Sequence, residues 1–197
     1  FLEPVAGETF DLVLANPPYV VGPEHELTYR DGGLRGDDVS RLLVHGLPAH
    51  LNEGGVAQVL VSWMHDDGDH WDAPVRAWVE GSGCDTLLLR WGSEDPLGHA
   101  AAWNALVAPD AGAFAAAVDR WLAYLAELGA QRIAYGAVVL HRRAGGGRFE
   151  RYEAPHARLV AEADHVRRLL DAVADDRDPL ERRLRPARGH VLERVAH

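Results

Sequence analysis

The apolar run Phe10-Asp11-Leu12-Val13-Leu14-Ala15 stops abruptly at Asn16-Pro17-Pro18-Tyr19. A run of this length suits a buried strand. Two consecutive prolines forbid its continuation, because each fixes φ and lacks the N–H that a ladder requires. The tetrapeptide is therefore a rigid, polar turn with an aromatic rim, set at the carboxyl edge of whatever sheet the strand joins. That edge is where open α/β sheets bind ligands.

The rest of the chain alternates strand and helix signals. After a breaker-rich loop to about Gly36, Val39, Leu42, Leu43, Leu47 and Leu51 recur three to four apart and predict a helix from Asp38, kinked at Pro48. Asn52-Glu53-Gly54-Gly55 is expected to stop it, and Val56–Trp63 reads as a second buried strand. A helix over Trp71–Glu80, a strand over Asp85–Trp91 and a short helix over His99–Val107 follow. Asp110 can cap an amphipathic helix carrying Phe114, Val118, Trp121, Leu122, Leu125 and Leu128, ended by Gly129. Ile133–Leu140 is a fourth strand, and Gly145-Gly146-Gly147 marks a loop or boundary. Leu159, Val160, Ala163, Val166, Leu169, Leu170 and Val173 outline a last helix. Strands alternating with helices predict an α/β fold with a mostly parallel sheet and helices on both faces.

Asn-Pro-Pro-Tyr offers two hydrogen-bond acceptors that match a planar NH2 group. A planar NH2 group is a poor nucleophile, because its lone pair is delocalised into the adjoining π system. An Asn16 side-chain oxygen and a Pro17 carbonyl, each accepting one N–H, would hold that nitrogen and stabilise positive charge developing on it. Tyr19 offers a flat face for stacking. An ordinary strand-ending turn is the alternative, since Asn and Pro are both common in turns.

The block Phe10–Tyr19 resembles the signature of S-adenosylmethionine-dependent N-methyltransferases of the Asn-Pro-Pro-Tyr type, the group of the release-factor glutamine, adenine-N6 and RNA enzymes. Tyr29-Arg30-Asp31-Gly32-Gly33-Leu34-Arg35-Gly36-Asp37-Asp38 is similar to the Gly-Gly-x-x-Gly loop and helix start of the glutamine enzymes, and Gly54–Leu60 to the turn into the family's fifth strand. The resemblance covers residues 1–143. It implies the second half of a class I, Rossmann-like methyltransferase fold whose last two strands form a hairpin-like antiparallel edge, with residues 144–197 as an Arg-rich, partly helical appendage. It implies S-adenosyl-L-methionine as cofactor, Asn16, Pro17 and Tyr19 as catalytic residues, and Asn16, Pro17, Pro18, Tyr19 and Tyr29 as acceptor-binding residues. Asn16 would also touch the cofactor, and no metal is required.

One departure from the family matters. No G-x-G-x-x-G pattern follows a strand and opens a helix. With Asn16 so near the amino end, three strands and two helices have no room before it, so the chain is expected to be the carboxyl-terminal part of a longer protein and inactive alone. Three readings stand: methylation of an RNA or DNA base, methylation of a protein (release factor) glutamine, and a non-catalytic methyltransferase-like interaction module.

Charge bears on the partner. Residues 1–141 hold 7 Arg against 20 Asp and Glu, whereas residues 142–197 hold 13 Arg against 10 acids. So acidic a body repels bulk nucleic acid unless an attached segment contacts the phosphates. All basic side chains are Arg. The lone Cys84 excludes an internal disulfide and suits a reducing cytoplasm. No apolar run reaches the ~20 residues that span a bilayer. His65-Asp66-Asp67-Gly68-Asp69-His70-Trp71-Asp72 has metal-ligand types but reads as a solvated acidic loop that could line the acceptor cleft. Trp63 and Trp71 read as packing residues, and Glu24, His25, Glu26 and Tyr29 belong to a loop that would close over the acceptor.

Overall fold

The structure is a computed structural model that describes residues 1–24, 27, 30–153 and 163–175. Its centre is a five-stranded sheet of β1 (Phe10–Ala15), β2 (Leu51–His65), β3 (Cys84–Glu94), β4 (Arg132–Arg142) and β5 (Phe149–Glu153), in the order β1-β2-β4-β3-β5. β1 lies parallel to β2, and β5 parallel to β3, while β4 runs antiparallel to both β2 and β3. Four strands thus share one direction and only β4 is reversed, giving a mostly parallel, Rossmann-like α/β sheet.

Helices cover both faces. Alternation along β4 sends Ala134, Val138 and Leu140 to one side, where they meet Val59, Val61 and Trp63 of β2 and Leu88 of β3. On that side lie α1 (Asp38–Gly46), through Val39, Leu43 and Val44, and α2 (Ala73–Val79), through Val75 and Trp78. Val139, Leu87 and Leu89 point the other way, against Leu170 of α5 (Ala163–Ala174). Ile133 shares that second face and packs on Leu125 of α4 (Ala111–Glu127). α3 (Pro96–Asn104) lies against α4 through Ala100, Val118 and Trp121.

The antiparallel pairing of the last two long strands matches expectation, but its place in the sheet differs. β4 is not at an edge: it inserts between β2 and β3, and the connection from β3 carries α3 and α4 rather than a tight turn. β5 has no counterpart in the sequence reading. Its stretch Phe-Glu-Arg-Tyr-Glu has one half-buried residue and four exposed ones, so it shows no apolar run, and its main-chain pairing with β3 holds it.

Differences at element ends have local causes. Pro48 ends α1 instead of kinking it; a 3-10 turn, Leu47–His50, takes over because Pro48 has no N–H for the helical ladder. Asn52–Gly55 does not stop the chain but is absorbed into a long β2 at an irregularity opposite Phe10 and Leu12. There a Cβ on Gly55 would stand 2.8 Å from the Phe10 carbonyl oxygen, so glycine permits the two backbones to approach. α3 begins earlier than expected, at Pro96, with the Asp95 carboxylate accepting from the Gly98 N–H at 2.7 Å. Asp95-Pro96 is a cap followed by a first-turn proline. Asp110 caps α4 as expected, accepting from Ala113 N at 2.8 Å, and Gly129 ends it at φ +67. The first residues of the last expected helix, Leu159 and Val160, lie outside the described residues.

Candidate functional site

β1 leads directly into Asn16–Tyr19 at the carboxyl edge of the sheet. Asn16 is exposed, and its side chain makes no hydrogen bond among the described residues, while Pro17, Pro18 and Tyr19 are half-buried. Ser62 of β2 donates its hydroxyl to the Tyr19 carbonyl, and the Ser62 N–H donates to Ser40 Oγ of α1 at 3.2 Å. Both serines are fully buried. The turn is thus pinned from behind by α1 and β2, and its asparagine is left free.

The glycine loop lies against the same turn. A Cβ on Gly32 would stand 2.6 Å from the Pro18 carbonyl oxygen and 2.3 Å from Val39 Cγ2, contacts that only glycine tolerates. Gly36, at φ +58, donates its N–H to the Tyr124 hydroxyl at 2.8 Å. Asp37 accepts from Met64 N at 2.9 Å, tying the start of α1 to the end of β2. Burial pushes the Asp37 carboxyl above the usual carboxylate range, against the bond from Met64. Arg30 and Asp31 form a buried ion pair at 2.6 Å, with the guanidinium 5.4 Å from the centre of the Trp121 ring. Glu24 pairs with Arg120 at 3.2 Å, and Tyr29, His25 and Glu26 lie outside the described residues.

After Tyr19 the chain is clamped by a polar relay that spacing did not reveal. His99 Nε2 lies 2.6 Å from the Val21 carbonyl oxygen, which can only accept, so Nε2 carries the proton. His99 Nδ1 then accepts from the Tyr135 hydroxyl, and that oxygen accepts from Trp103 Nε1 at 3.2 Å. Burial lowers the His99 pKa to about 4, so the ring is neutral, and burial likewise raises the Tyr135 phenol. The Tyr19 phenol is also raised by burial. The partners of His99 are 36 and 78 residues away, so no local pattern could announce them.

β1 is an edge strand whose outer side has no partner among the described residues. Val13 and Ala15 pack on the core beneath α1, but Leu12 and Leu14, on the other face, are 60% and 70% exposed. Among the described residues no glycine turn joins a strand directly to a helix: Gly81–Gly83 enters β3, Gly145–Gly147 enters β5, and Gly32–Gly36 leads into α1 from a long loop after β1. Asn16 presents an exposed, unbonded side chain at this edge, and no glycine cradle for a cofactor stands beside it among the described residues.

The acidic loop lies at the same sheet edge. Among the described residues no three His, Cys, Asp or Glu converge on a point that could hold a metal ion. Asp72 instead pairs with Arg76 at 3.0 Å and with Arg151; burial raises its carboxyl, and the two guanidiniums outweigh that and hold it low. Trp63 is a core residue, donating Nε1–H to the Trp71 carbonyl at 2.7 Å. Trp71 packs in the same core and also lines a cleft of about 860 Å³.

Comparisons with known proteins bear on this geometry. No family model matches the chain. Over 96 residues, 44% of this chain and 30% of the other, it is 32% identical to the release factor glutamine methyltransferase of Xylella fastidiosa (strain Temecula1 / ATCC 700964). The protein of the same name in strain 9a5c is 31% identical over the same length. The chain thus covers 30% of the length of these relatives. Among solved structures, StiE O-MT residues 942-1257 superposes with a TM-score of 0.35 at 13% identity, over 78% of this chain and 54% of that one. Haemonchus contortus phosphoethanolamine N-methyltransferase 2, in complex with S-adenosyl-L-methionine, gives 0.32 at 9% identity, over 68% of this chain and 34% of that one.

Proposed function

We propose that the chain is the acceptor-binding half of an S-adenosylmethionine-dependent N-methyltransferase whose acceptor is a planar NH2 group, of a nucleic-acid base in the first instance. The observation that carries this reading is Asn16: a carboxamide exposed at the carboxyl end of β1, free of hydrogen bonds among the described residues, on a turn fixed by Ser62 and Ser40. In this reading the Asn16 side-chain oxygen and the Pro17 carbonyl accept the two N–H bonds of the acceptor and aim its lone pair. Pro18 and Tyr19 shape the pocket. S-adenosylmethionine supplies an electrophilic methyl group. The nitrogen loses a proton to solvent once the methyl has arrived, so no dedicated base is invoked.

The remaining half of the cofactor cradle is proposed to come from a segment of the parent protein that pairs with the open edge of β1 and covers Leu12 and Leu14. Residues 1–143 are then the carboxyl-terminal half of the catalytic domain. Residues 144–197 are an appendage whose β5 and α5 extend and cover the far side of the sheet. A cytoplasmic setting accords with the buried free thiol of Cys84; among the described residues no helix is long and apolar enough to cross a membrane.

A second reading keeps the chemistry and makes the acceptor a protein glutamine, which the 32% identity to release factor glutamine methyltransferase favours. Adenine N6 and a glutamine amide offer the same two N–H donors, so Asn16 serves either. Incubating the parent protein with methyl-labelled cofactor and either total RNA or release factor separates the two. Label in RNA is the expected result. Label confined to protein replaces the acceptor, and label in neither leaves the non-catalytic module.

A further inference from the structure

The cleft of about 860 Å³ lies at the carboxyl ends of β2, β3 and β5, where the start of β4 also arrives. It occupies the same edge of the sheet as Asn16. With strands about 4.8 Å apart, its centre lies roughly 10–15 Å from the Asn16 turn. Arg90, Arg132 and Arg151 line it together with Trp71 and Trp91, and so do Asp67, Asp69 and Glu153.

The backbone of β3 is irregular at this point. The pairing with β4 slips between Arg90 and Gly92, so Trp91 is the extra residue of a bulge, a device that re-aims a side chain beside a site. Gly92 follows in the lining, and a Cβ there would meet one atom, Tyr135 Cδ2, at 3.8 Å.

The cations are held in place. Arg90 lies with its guanidinium 4.1 Å from the centre of the Trp71 ring and donates to Glu153. Arg151 approaches the same ring at 5.3 Å and donates to the Asp69 carbonyl at 2.8 Å. Arg132 donates to the Ser93 carbonyl at 2.9 Å and lies 3.9 Å from Asp67. Cations and carboxylates differ in exposure. The side chains of Arg90 and Arg132 are 18% and 31% exposed, whereas those of their partners Glu153 and Asp67 are 65% and 79% exposed. In these two pairs the guanidinium is the more buried partner and the carboxylate stands at the rim. A guanidinium has five N–H donors, so each keeps capacity for a second anion.

We infer that this cleft is a binding subsite for single-stranded nucleic acid, taking one phosphodiester against Arg90 and Arg132 and one base against Trp91, about two or three nucleotides from the residue presented to Asn16. The inference rests on the nucleic-acid reading of the acceptor and adds a second point of attachment to it. It also answers the charge problem: local guanidiniums, rather than net charge, meet the strand, and the rim carboxylates are what a phosphate displaces.

The experiment is a titration of the 197-residue chain with a fluorescent single-stranded oligoribonucleotide of eight adenylates, read by anisotropy without cofactor. Binding is expected, weakening with salt at a log–log slope of about −0.7, as one phosphate contact to a single strand gives. Trp91→Ala is expected to weaken it about tenfold, the size of one lost base stack, and Arg132→Gln to weaken it and flatten the salt slope. Glu153→Gln is the decisive variant: by releasing Arg90 it should tighten binding several-fold, which loss of a structural ion pair would not do. A Glu153→Gln chain that binds equally or more weakly overturns the proposal, as does oligonucleotide binding indifferent to Trp91. Preference for a glutamine-containing peptide over the oligonucleotide also overturns it. Should Trp91→Ala lose its fold by circular dichroism, Trp91→Phe with Glu153→Gln carries the test. RNA methylation by the parent with an unaltered KM in Arg132→Gln would sink this subsite while leaving methyl transfer intact.

Discussion

The two edges of the sheet are built to different degrees of completion. At the far edge the outermost strand, β5, is also unpaired on its outer side among the described residues, but it is short and polar, and beside it Leu87 and Leu89 of β3 are covered by Leu170 of α5. At the near edge β1 offers an unpaired strand, among the described residues, with Leu12 and Leu14 facing out. Soluble proteins rarely leave a flat apolar edge bare, because it recruits other strands. The motif with the most chemical content lies on the bare side. A site completed by pairing along β1 would leave this contrast.

The largest expected effect belongs to Asn16. In the parent protein Asn16→Ala should lower turnover by about 10²–10³, as loss of one preorganised transition-state acceptor does. The thermal midpoint should not move, because Asn16 holds no bond among the described residues. A steady-state assay beside a melting curve checks both halves. Unchanged turnover removes the near edge from catalysis.

Acid should act on the clamp behind the motif. The His99 pKa is lowered from 6.5 to about 4, chiefly by burial, so between those values the unfolded chain binds a proton that the folded chain refuses. Stability conferred by the neutral ring is therefore complete above pH 6.5 and lost as pH falls toward 4, by about 3 kcal/mol in all. His65 is lowered by burial in the same direction. Comparing urea midpoints of wild type and His99→Gln from pH 7 to 4.5 isolates His99: the variant should show a shallower decline. Parallel curves would mean that the relay from Trp103 through Tyr135 to Val21 does not titrate as drawn.

The sheet was legible in the sequence to the extent that its strands are apolar. Val56–Trp63, Asp85–Trp91 and Ile133–Leu140 all fall inside observed strands, because buried strands announce themselves through their own side chains. β5 does not, since its pairing with β3 is through main-chain bonds and four of its five residues are exposed. The same division runs through the site. Asn16–Tyr19 and the glycine loop were readable because prolines and glycines carry backbone geometry in their identity. Ser62, Ser40 and His99 were not, since they act through partners far away in the chain. Arg90, Arg132 and Arg151 come from three different strands and meet only once β4 has inserted between β2 and β3.

The smallest effect is a paired one, and it tests the two edges with identical chemistry. Leu170→Ala removes a buried side chain from the far edge and should cost about 2 kcal/mol, at the low end for a core leucine at a site open enough to relax. Leu14→Ala removes an exposed leucine from the near edge and should cost no more than about 0.5 kcal/mol in the 197-residue chain. In the parent protein the second number should change and the first should not. If an upstream strand pairs with β1 and a helix covers its outer face, Leu14 becomes a core residue and its truncation should cost about as much as that of Leu170. Urea denaturation of all four variants gives the comparison directly. A Leu14→Ala cost that stays small in the parent would mean that β1 remains open there, and the cofactor half of the site would have to be sought on another surface.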